Sequence, residues 1–188
     1  EVAQALQETI ASFASPDILI NGVGGNIGKY PLIDQDMELF EKVLHMNLVA
    51  GLMIPTKVFG RYWIESQIKG SIINLTSMAS YNPLSGVWAY DAAKSATLNL
   101  TMAAANEFAE HGIRVNAIAP SLTDTPLAAS LLAGEDKRMA AAKRHPLQRI
   151  GDPREIAAAA CYLLSAAGSW MTGQILHTDG GMGAVRTF

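Results

Sequence analysis

The chain of 188 residues is 49% apolar and 16% charged, a composition typical of one compact domain with a sizeable core. Its net charge of −3 provides no basic field for a phosphate backbone, which argues against a nucleic-acid partner. No signal peptide and no apolar stretch of 18 residues stands out in the sequence, which favours a cytoplasmic protein without a membrane segment.

The N-terminal part predicts a helix, a strand and a glycine-rich loop. Apolar residues within 1–14 have helical spacing, and Pro16 leads into an apolar strand over 17–21. The loop over 22–28 lacks the glycine spacing of a Rossmann phosphate loop, and it also lacks the Gly-Lys-Ser/Thr ending of a P-loop. We therefore interpret it as a connection rather than as a phosphate site.

A long helix is predicted next. Asp34 or Asp36 can cap its N-terminus, and acidic residues in its first turn stabilise it through the helix dipole. Its apolar residues form a wide stripe that we expect to be buried: Leu39, Phe40, Val43, Leu44, Leu48, Leu52 and Met53. Asn47 interrupts this stripe. A buried amide needs hydrogen-bond partners, so Asn47 is either a satisfied core residue or a functional one.

A β-branched apolar run predicts a buried strand over 72–76, which delivers Ser77 at its carboxyl end. After a loop, an Ala-rich helix over 88–110 carries Tyr90 and Lys94. Their i, i+4 spacing places the phenol and the ammonium on one face, so the cation favours the phenolate. Lowering the pKa of a tyrosine from about 10 to about 7 requires roughly 4 kcal/mol.

This helix is expected to end at Gly112, and another buried strand follows over 114–120, stopped by Pro120. Residues 126–149 have the character of an Ala-rich helical insertion. Its basic residues either attract an acidic substrate or form a solvated face; they are Lys137, Arg138, Lys143, Arg144 and Arg149.

The chain continues with a helix and a last strand. Asp152 is expected to cap the helix, with Pro153 in its first turn. Cys161 is the only cysteine, and we expect it to be buried in this helix as a small apolar residue. A final strand and turn are predicted over 172–181. The four histidines share no ligand spacing, so we predict no metal site.

Ser77, Tyr90 and Lys94 together resemble the signature of the short-chain dehydrogenase/reductase family, a strand-end Ser followed by Tyr-x-x-x-Lys. The resemblance extends from about residue 17 to about residue 183. It implies an α/β fold with a Rossmann-like doubly wound parallel sheet and flanking helices, in one domain over 1–188. Within it, 122–150 form a lid over the substrate. The family also has two N-terminal β-α units with a glycine fingerprint, and we expect the sequence to lack them.

The resemblance implies a role for each matching residue. The catalytic residues are Asn47, Ser77, Tyr90 and Lys94, with Asn47 supporting a proton relay through a water. An NAD or NADP cofactor is implied, and its contacts are Asn21, Gly22, Val23, Tyr90, Lys94, Pro120, Thr123 and Thr125. Ser121 stands where the family usually has glycine. The residue that selects NAD or NADP is expected to lie outside the sequence.

We therefore expect reversible hydride transfer between the cofactor and a secondary alcohol or ketone, with Tyr90 as general acid and base. The residues expected to line the substrate pocket are Ser77, Met78, Tyr81 and Trp88. A polyol or sugar acid, a 3-oxoacyl thioester and a cyclic ketone remain open as the small-molecule substrate. The alternative is a catalytically silent member of the family that acts as an oligomeric scaffold or interaction module. By resemblance, we expect a homo-oligomer, a tetramer or a dimer.

Overall fold

A computed structural model describes residues 1–185, in which helices and strands alternate. The helices are α1 Val2–Ser12, α2 Met37–Leu44, α3 Ile54–Glu65, α4 Trp88–Phe108, α5 Glu135–Lys143 and α6 Pro153–Leu164. The strands are β1 Ile18–Asn21, β2 Ser71–Leu75, β3 Arg114–Pro120 and β4 Ile175–Thr178. All four strands lie within or next to the segments predicted from the sequence.

The four strands form one parallel sheet in the order β1-β2-β3-β4. β2 and β3 lie at its centre, and Ile72, Ile73, Val115 and Ile118 are fully buried, as expected for strands covered on both faces. Ile20 pairs with Ile73, and Ile73 pairs with Asn116. Because the strands are parallel, their carboxyl ends meet at one edge of the sheet. This confirms the predicted Rossmann-like parallel sheet with flanking helices.

Helices cover the sheet on both faces. On one face, α3 and α4 contribute Trp63 and Phe108 to a core cluster with Val115. On the other face, α6 contributes Leu163 to a cluster with Ile118. The helices shield both faces of the central strands from water, and the ends of these strands remain accessible at the edges of the sheet.

Cys161 is exposed, so the prediction that it is buried is wrong. α6 turns Ile156, Ala160 and Leu163 toward the sheet. Cys161 follows Ala160 directly, and successive residues of a helix are rotated by about 100°. This rotation carries the thiol away from the sheet.

The long predicted helix begins where Asp36 accepts a hydrogen bond from Leu39 N at 3.0 Å, but it contains a π-helical segment over His45–Met53. A π-turn closes i→i+5 hydrogen bonds and therefore takes more residues than an α-turn, which shifts the phase of the apolar stripe. Met53, which was expected to be buried, is 47% exposed, whereas Asn47 is 3% exposed.

Gly51 lies where the π segment passes the loop that follows β1. A Cβ at this position would lie 2.5 Å from Val23 O and 2.8 Å from Met46 O. Both neighbours are backbone atoms, which cannot swing away as a side chain does. Glycine is therefore required for this close approach.

We expect Gly51→Ala to lower the free energy of unfolding by about 1–3 kcal/mol, because the overlap with two backbone atoms outweighs the gain in helix propensity of about 1 kcal/mol. Chemical denaturation measures the change. Gly25→Ala is the matched control, since a Cβ there would meet only Met46 Cε at 3.9 Å. If both variants unfold at the same denaturant concentration, the close approach at Gly51 is not a constraint.

The helical run Met37–Glu65 is long and apolar enough, by length and composition alone, to cross a membrane, which the sequence reading did not recognise. A core helix passes the same test, and this run supplies Val43, Leu52 and Trp63 to the core. Only 28% of its most apolar window is buried. An apolar strip on the opposite side, including Val49 and Ile54, is therefore left uncovered.

Candidate active site

The carboxyl edge of the sheet brings together the ends of β1, β2 and β3. At this edge, Asn21 Nδ2 donates hydrogen bonds to Asn74 Oδ1 at 2.9 Å and to Thr56 Oγ1 at 3.0 Å. Asn74 Nδ2 in turn donates to Thr101 Oγ1 at 2.9 Å. These buried amides tie two neighbouring strands to α3 and α4, so Asn21 fixes the point where the loop 22–31 leaves the sheet.

Ser77 and Tyr90 are neighbours at this edge, as their spacing in the sequence predicts. Ser77 lies just beyond β2, where its Oγ accepts a hydrogen bond from Ala79 N at 3.1 Å. The Ser77 hydroxyl also lies close enough to the phenol of Tyr90, in the first turn of α4, to lower the pKa of that phenol. A donor and an acid-base group thus lie side by side where open α/β sheets bind ligands.

Lys94 lies one turn beyond Tyr90 and is 8% exposed. Its Nζ donates a hydrogen bond to Leu75 O at 2.9 Å and lies 5.6 Å from the centroid of the Tyr90 ring. Thr76 Oγ1 donates to Lys94 O at 2.8 Å, so two bonds join this turn of α4 to the end of β2. Burial lowers the pKa of Lys94 to about 8, and the amine is still mainly protonated at neutral pH.

The pKa of Tyr90 lies above its usual value, mainly because of burial; the nearby Ser77 hydroxyl lowers it, and the charge of Asp91 raises it again. The lowering effect predicted for Lys94 does not outweigh burial in this structure. The ammonium is bonded to Leu75 O and lies 5.6 Å from the ring, whereas desolvation acts on the phenolate directly. Deprotonation of Tyr90 near neutral pH requires further positive charge at this site.

The lowered pKa of Lys94 predicts that stability depends on pH. A lysine in the unfolded chain titrates near 10.4, while folded Lys94 titrates at about 8. Between these values the unfolded state binds more protons, so stability rises with pH. From pH 7 to pH 10 we expect wild type to gain about 2–3 kcal/mol relative to Lys94→Met. Urea unfolding at both pH values measures this gain, and an unchanged difference would contradict it.

Asn47 joins the π segment to the loop after β1. Its Nδ2 donates hydrogen bonds to Val43 O and Gly25 O, both at 2.8 Å, and its Oδ1 accepts one from Gly25 N at 3.1 Å. A Cβ on Gly24 would overlap Asn47 Oδ1 and lie 3.5 Å from Lys94 Nζ. The missing side chain at Gly24 therefore allows the loop to lie against Asn47 and Lys94. The proton-relay role of Asn47 stays a prediction.

The residues predicted to contact a nicotinamide cofactor lie along this same edge. Gly22 and Val23 follow β1 and are exposed, Tyr90 and Lys94 lie on α4, and Pro120, Thr123 and Thr125 end or follow β3. Within residues 1–185, the Lys94 amine uses one of its three donors, toward Leu75 O. Its free donors suit a vicinal diol such as that of a ribose, so the donor set fits a nicotinamide nucleotide.

Met78 and Trp88, both predicted to contact the substrate, differ in how much of each side chain is exposed. Met78 is 6% exposed and is part of the packed wall behind Ser77, whereas Trp88 is 39% exposed. The indole Nε1 of Trp88 donates a hydrogen bond to Tyr30 O at 3.2 Å. Trp88 therefore reaches the loop after β1, across the entrance to the site.

Tyr81, also predicted to contact substrate, uses its hydroxyl elsewhere. It donates a hydrogen bond to Asp179 Oδ2 at 2.8 Å, and its ring stacks on His177 with 4.3 Å between centroids. Burial and the Asp179 carboxylate raise the pKa of Tyr81. Gly181 N and Gly183 N donate to the same carboxylate. Tyr81 thus ties the loop after Ser77 to the turn that follows β4.

The predicted lid, residues 122–150, contains α5 and is anchored at its C-terminal end by His145, which is 2% exposed. His145 Nδ1 lies 2.9 Å from Ala141 O, and Nε2 lies 2.8 Å from Ser121 Oγ. Since a carbonyl only accepts, Nδ1 carries a proton in this arrangement. Ser121 therefore joins this segment to the end of β3.

Two of the five basic residues in the insertion are paired with carboxylates. Arg138 contacts Asp124 at 2.9 Å, and Arg149 contacts Glu155 at 2.6 Å. Both pairs are exposed, which favours a solvated face over an acidic-substrate site. A cavity of about 310 Å³ lies between the lid and the end of β4, lined by residues that include Ser121, His145 and Asp179. It contains none of the residues that surround Tyr90.

Sequence reasoning missed two groups around this site. Asp91 follows Tyr90 directly, and only its position in the first turn of a helix marks it in the sequence. Asp179 was recognised as part of a turn, but its partner Tyr81 lies 98 positions earlier. No local pattern connects residues that far apart.

A protein-family model described as Enoyl-(Acyl carrier protein) reductase matches residues 1–183. A glucose 1-dehydrogenase from Gluconobacter oxydans is 36% identical, over 97% of this chain and 68% of its own length. A cis-4-hydroxycyclohexanecarboxylate dehydrogenase from Sinomonas cyclohexanicum is 37% identical, over 98% of this chain and 72% of its own length. The chain thus spans about seven tenths of these relatives.

Solved structures show the same architecture. A short-chain type dehydrogenase/reductase from Mycobacterium ulcerans has a TM-score of 0.91 and 31% identity, over 99% of this chain and 67% of its own. A 4-hydroxyisoleucine dehydrogenase complexed with NADH has a TM-score of 0.89 and 31% identity, over 98% and 75%. ElxO with NADP bound has a TM-score of 0.88 and 26% identity, over 96% and 73%. Both nicotinamide dinucleotides therefore occur among the similar structures.

Proposed function

The chain belongs to the short-chain dehydrogenase/reductase family of NAD(P)-dependent oxidoreductases, and from this we propose that it interconverts a secondary alcohol and a ketone by hydride transfer, with Tyr90 as general acid and base. The observation that supports this most is the proximity of the Ser77 hydroxyl to the Tyr90 phenol at the carboxyl edge of the sheet. Lys94 lies behind them, buried and cationic at neutral pH.

Each polar group has a distinct task in this proposal. The Ser77 hydroxyl donates to the substrate oxygen and holds it beside Tyr90, where charge develops on that oxygen. Tyr90 gives its phenolic proton to the oxygen during reduction and removes it during oxidation. Lys94 keeps a positive charge near the phenol, and Asn47 fixes the loop that passes it.

A bound nicotinamide supplies the hydride chemistry and, when oxidised, a positive ring charge. Lys94 has free donors for a ribose diol, as described above. Thr125 makes no side-chain hydrogen bond within residues 1–185 and is partly exposed after β3, so its hydroxyl is available to a carboxamide. Gly22 and Val23 present open backbone to the same edge. These features support NAD or NADP as the cofactor.

We infer the substrate class from the side chains exposed at the site and from the names of the similar dehydrogenases. Trp88 offers an apolar ring at the entrance, and Ser77 offers a hydroxyl at its base. The relatives are named as dehydrogenases of glucose and of cis-4-hydroxycyclohexanecarboxylate. We therefore propose a small secondary alcohol or the corresponding ketone as the substrate.

A homo-oligomer is part of the proposal. The uncovered apolar strip on the Met37–Glu65 run includes Val49, Met53 and Ile54, each more than 40% exposed, and Met102 on α4 is 46% exposed. Adjacent apolar side chains on two neighbouring helices favour burial against another surface. A second copy of the chain is the partner we propose, with light scattering as the test of its mass in solution.

Titration of the purified protein with NADH and with NADPH, followed by nicotinamide fluorescence, tests the function. The same sample is then assayed with sorbitol, gluconate and cyclohexanol in oxidation and with acetoacetyl-coenzyme A in reduction. We expect saturable binding of at least one dinucleotide and turnover of at least one alcohol or ketone. Binding of neither dinucleotide overturns the enzyme proposal and favours the silent scaffold.

A further inference from the structure

Asp91 is a buried carboxylate beside the proposed acid-base residue, and the mechanism above does not use it. It lies in the first turn of α4, directly after Tyr90, and is 8% exposed. Its Oδ2 accepts a hydrogen bond from Leu84 N at 3.0 Å. Its Oδ1 is fully buried without a hydrogen-bond partner among residues 1–185. A buried carboxylate oxygen without a partner is costly, so its retention needs an explanation.

The hydrogen bond from Leu84 N shows which segment Asp91 attaches to α4. Leu84 lies in the loop 81–87, which connects the strand end at Ser77 to the helix that carries Tyr90. This loop folds back along α4. Ser95 Oγ donates a hydrogen bond at 2.9 Å to Ser80 O, directly before the loop, and Asp91 accepts one from the Leu84 amide within it. Ser95 is exposed, whereas Asp91 is buried. Asp91 is therefore the inner of two side chains that fasten the loop to the helix.

The same loop is fastened to the loop 22–31 on the other side of the site. Tyr30 N donates a hydrogen bond to Gly86 O at 2.9 Å, and Trp88 Nε1 donates to Tyr30 O. Gly86 has a φ of +81°, and a Cβ there would lie 2.8 Å from Lys29 Cγ and 3.2 Å from Tyr30 O. The two loops form a continuous wall, and Asp91 is the buried one of the α4 side chains that hold it.

We propose that Asp91 is a positioning residue that fixes this wall at a set distance from Tyr90 and thereby determines how tightly a substrate is held between the wall and Ser77. The proposal rests on the function proposed above, since it assigns Asp91 a task at the same site. Asp91 acts through the loop and through its charge, without contact to the reacting atoms.

The charge of Asp91 has a second consequence for Tyr90. The charged groups that face this region are Lys94 on the next turn of α4 and Lys29 beside Gly86. The Asp91 carboxylate opposes Lys94, because it raises the pKa of Tyr90. Burial raises the pKa of Asp91 itself, while the hydrogen bond from Leu84 N lowers it and the first turn of a helix favours the charged form. Removing the charge alone is therefore expected to make Tyr90 easier to deprotonate.

Three variants separate the two effects. Asp91→Ala removes both the acceptor and the charge, and Asp91→Asn keeps an acceptor for the Leu84 amide but removes the charge. Glu107→Gln removes one negative charge from an exposed position on the same helix and serves as the control. For each variant we measure amide hydrogen exchange at Leu84, and KM and kcat on the most active substrate of the panel above. Phenolate absorbance is followed against pH in each variant and in the same variant carrying Tyr90→Phe, so that the difference reports Tyr90.

For Asp91→Ala we expect at least about tenfold faster exchange at Leu84 and about a tenfold rise in KM, with kcat within about threefold. For Asp91→Asn we expect exchange and KM near those of wild type, and a titration midpoint of Tyr90 lower by about half a unit or more. The Glu107→Gln control is expected to match wild type in all three measurements.

The outcomes distinguish this inference from the proposed function. Exchange at Leu84 and phenolate absorbance need no turnover, so they test Asp91 even if the chain oxidises no alcohol. Wild-type exchange at Leu84 in Asp91→Ala overturns the attachment role. A turnover-competent Asp91→Ala with an unchanged KM overturns the link to substrate binding, while it leaves hydride transfer by the family mechanism intact.

Discussion

Tyr90→Phe is expected to lower turnover at least about 100-fold, while the affinity for the dinucleotide stays within about threefold. Phenylalanine keeps the ring beside Ser77 and Lys94 but removes the hydroxyl that, in the proposed mechanism, transfers a proton to and from the substrate oxygen. General acid-base catalysis by one positioned side chain contributes about 10²–10⁴-fold, and no other hydroxyl takes over a role that requires both donation and removal. Steady-state kinetics and dinucleotide titration measure the two quantities separately.

Tyr162→Phe is the matched control for this experiment. Tyr162 lies on α6 and is 46% exposed, and the same chemical change there is expected to leave turnover unaltered. If Tyr90→Phe retains ordinary turnover, the proposed acid-base role is wrong even if the chain binds dinucleotide. If it loses dinucleotide binding together with turnover, Tyr90 is mainly a binding residue.

Most of the fold could be predicted from local sequence patterns. The β-branched run over 72–76 predicted β2, because a strand buried on both faces requires continuous apolar residues. Asp152 predicted the start of α6, and the structure contains the full capping box with Glu155. The placement of Ser77 beside Tyr90 was also predictable, since a strand, a short loop and a helix leave little freedom between them.

Other features depend on tertiary contacts that no local pattern contains. Cys161 lies in a run of α6, over 157–164, that is apolar throughout, so the side of this run that faces the sheet could not be identified from the sequence. The bond between Tyr81 and Asp179 joins distant parts of the chain. The pKa of Tyr90 is set mainly by burial, and burial cannot be inferred from the i, i+4 spacing of Tyr90 and Lys94.

Asn47→Asp is expected to destabilise the protein by about 4 kcal/mol at pH 8. The change is nearly isosteric, but a carboxylate has no N–H groups to donate to Val43 O and Gly25 O. Breaking such a buried polar arrangement costs about 3–5 kcal/mol when a charge is left without a partner, and each carbonyl that loses its donor adds to the penalty. Turnover is expected to fall as well, because the loop beside Lys94 loses its attachment.

The pH dependence of Asn47→Asp provides the sharper test. Burial and two facing carbonyl oxygens raise the pKa of the new carboxyl group in the folded state, so the folded variant binds more protons than the unfolded chain above about pH 4. Its stability therefore falls as pH rises from that value through the folded pKa, and the deficit is smaller at pH 5 than at pH 8. Asn106→Asp adds the same charge at an exposed position of α4 and is expected to show no such deficit in urea unfolding. A deficit that is equal for both variants, or independent of pH, would mean that the amide of Asn47 does not hold the loop against the π segment.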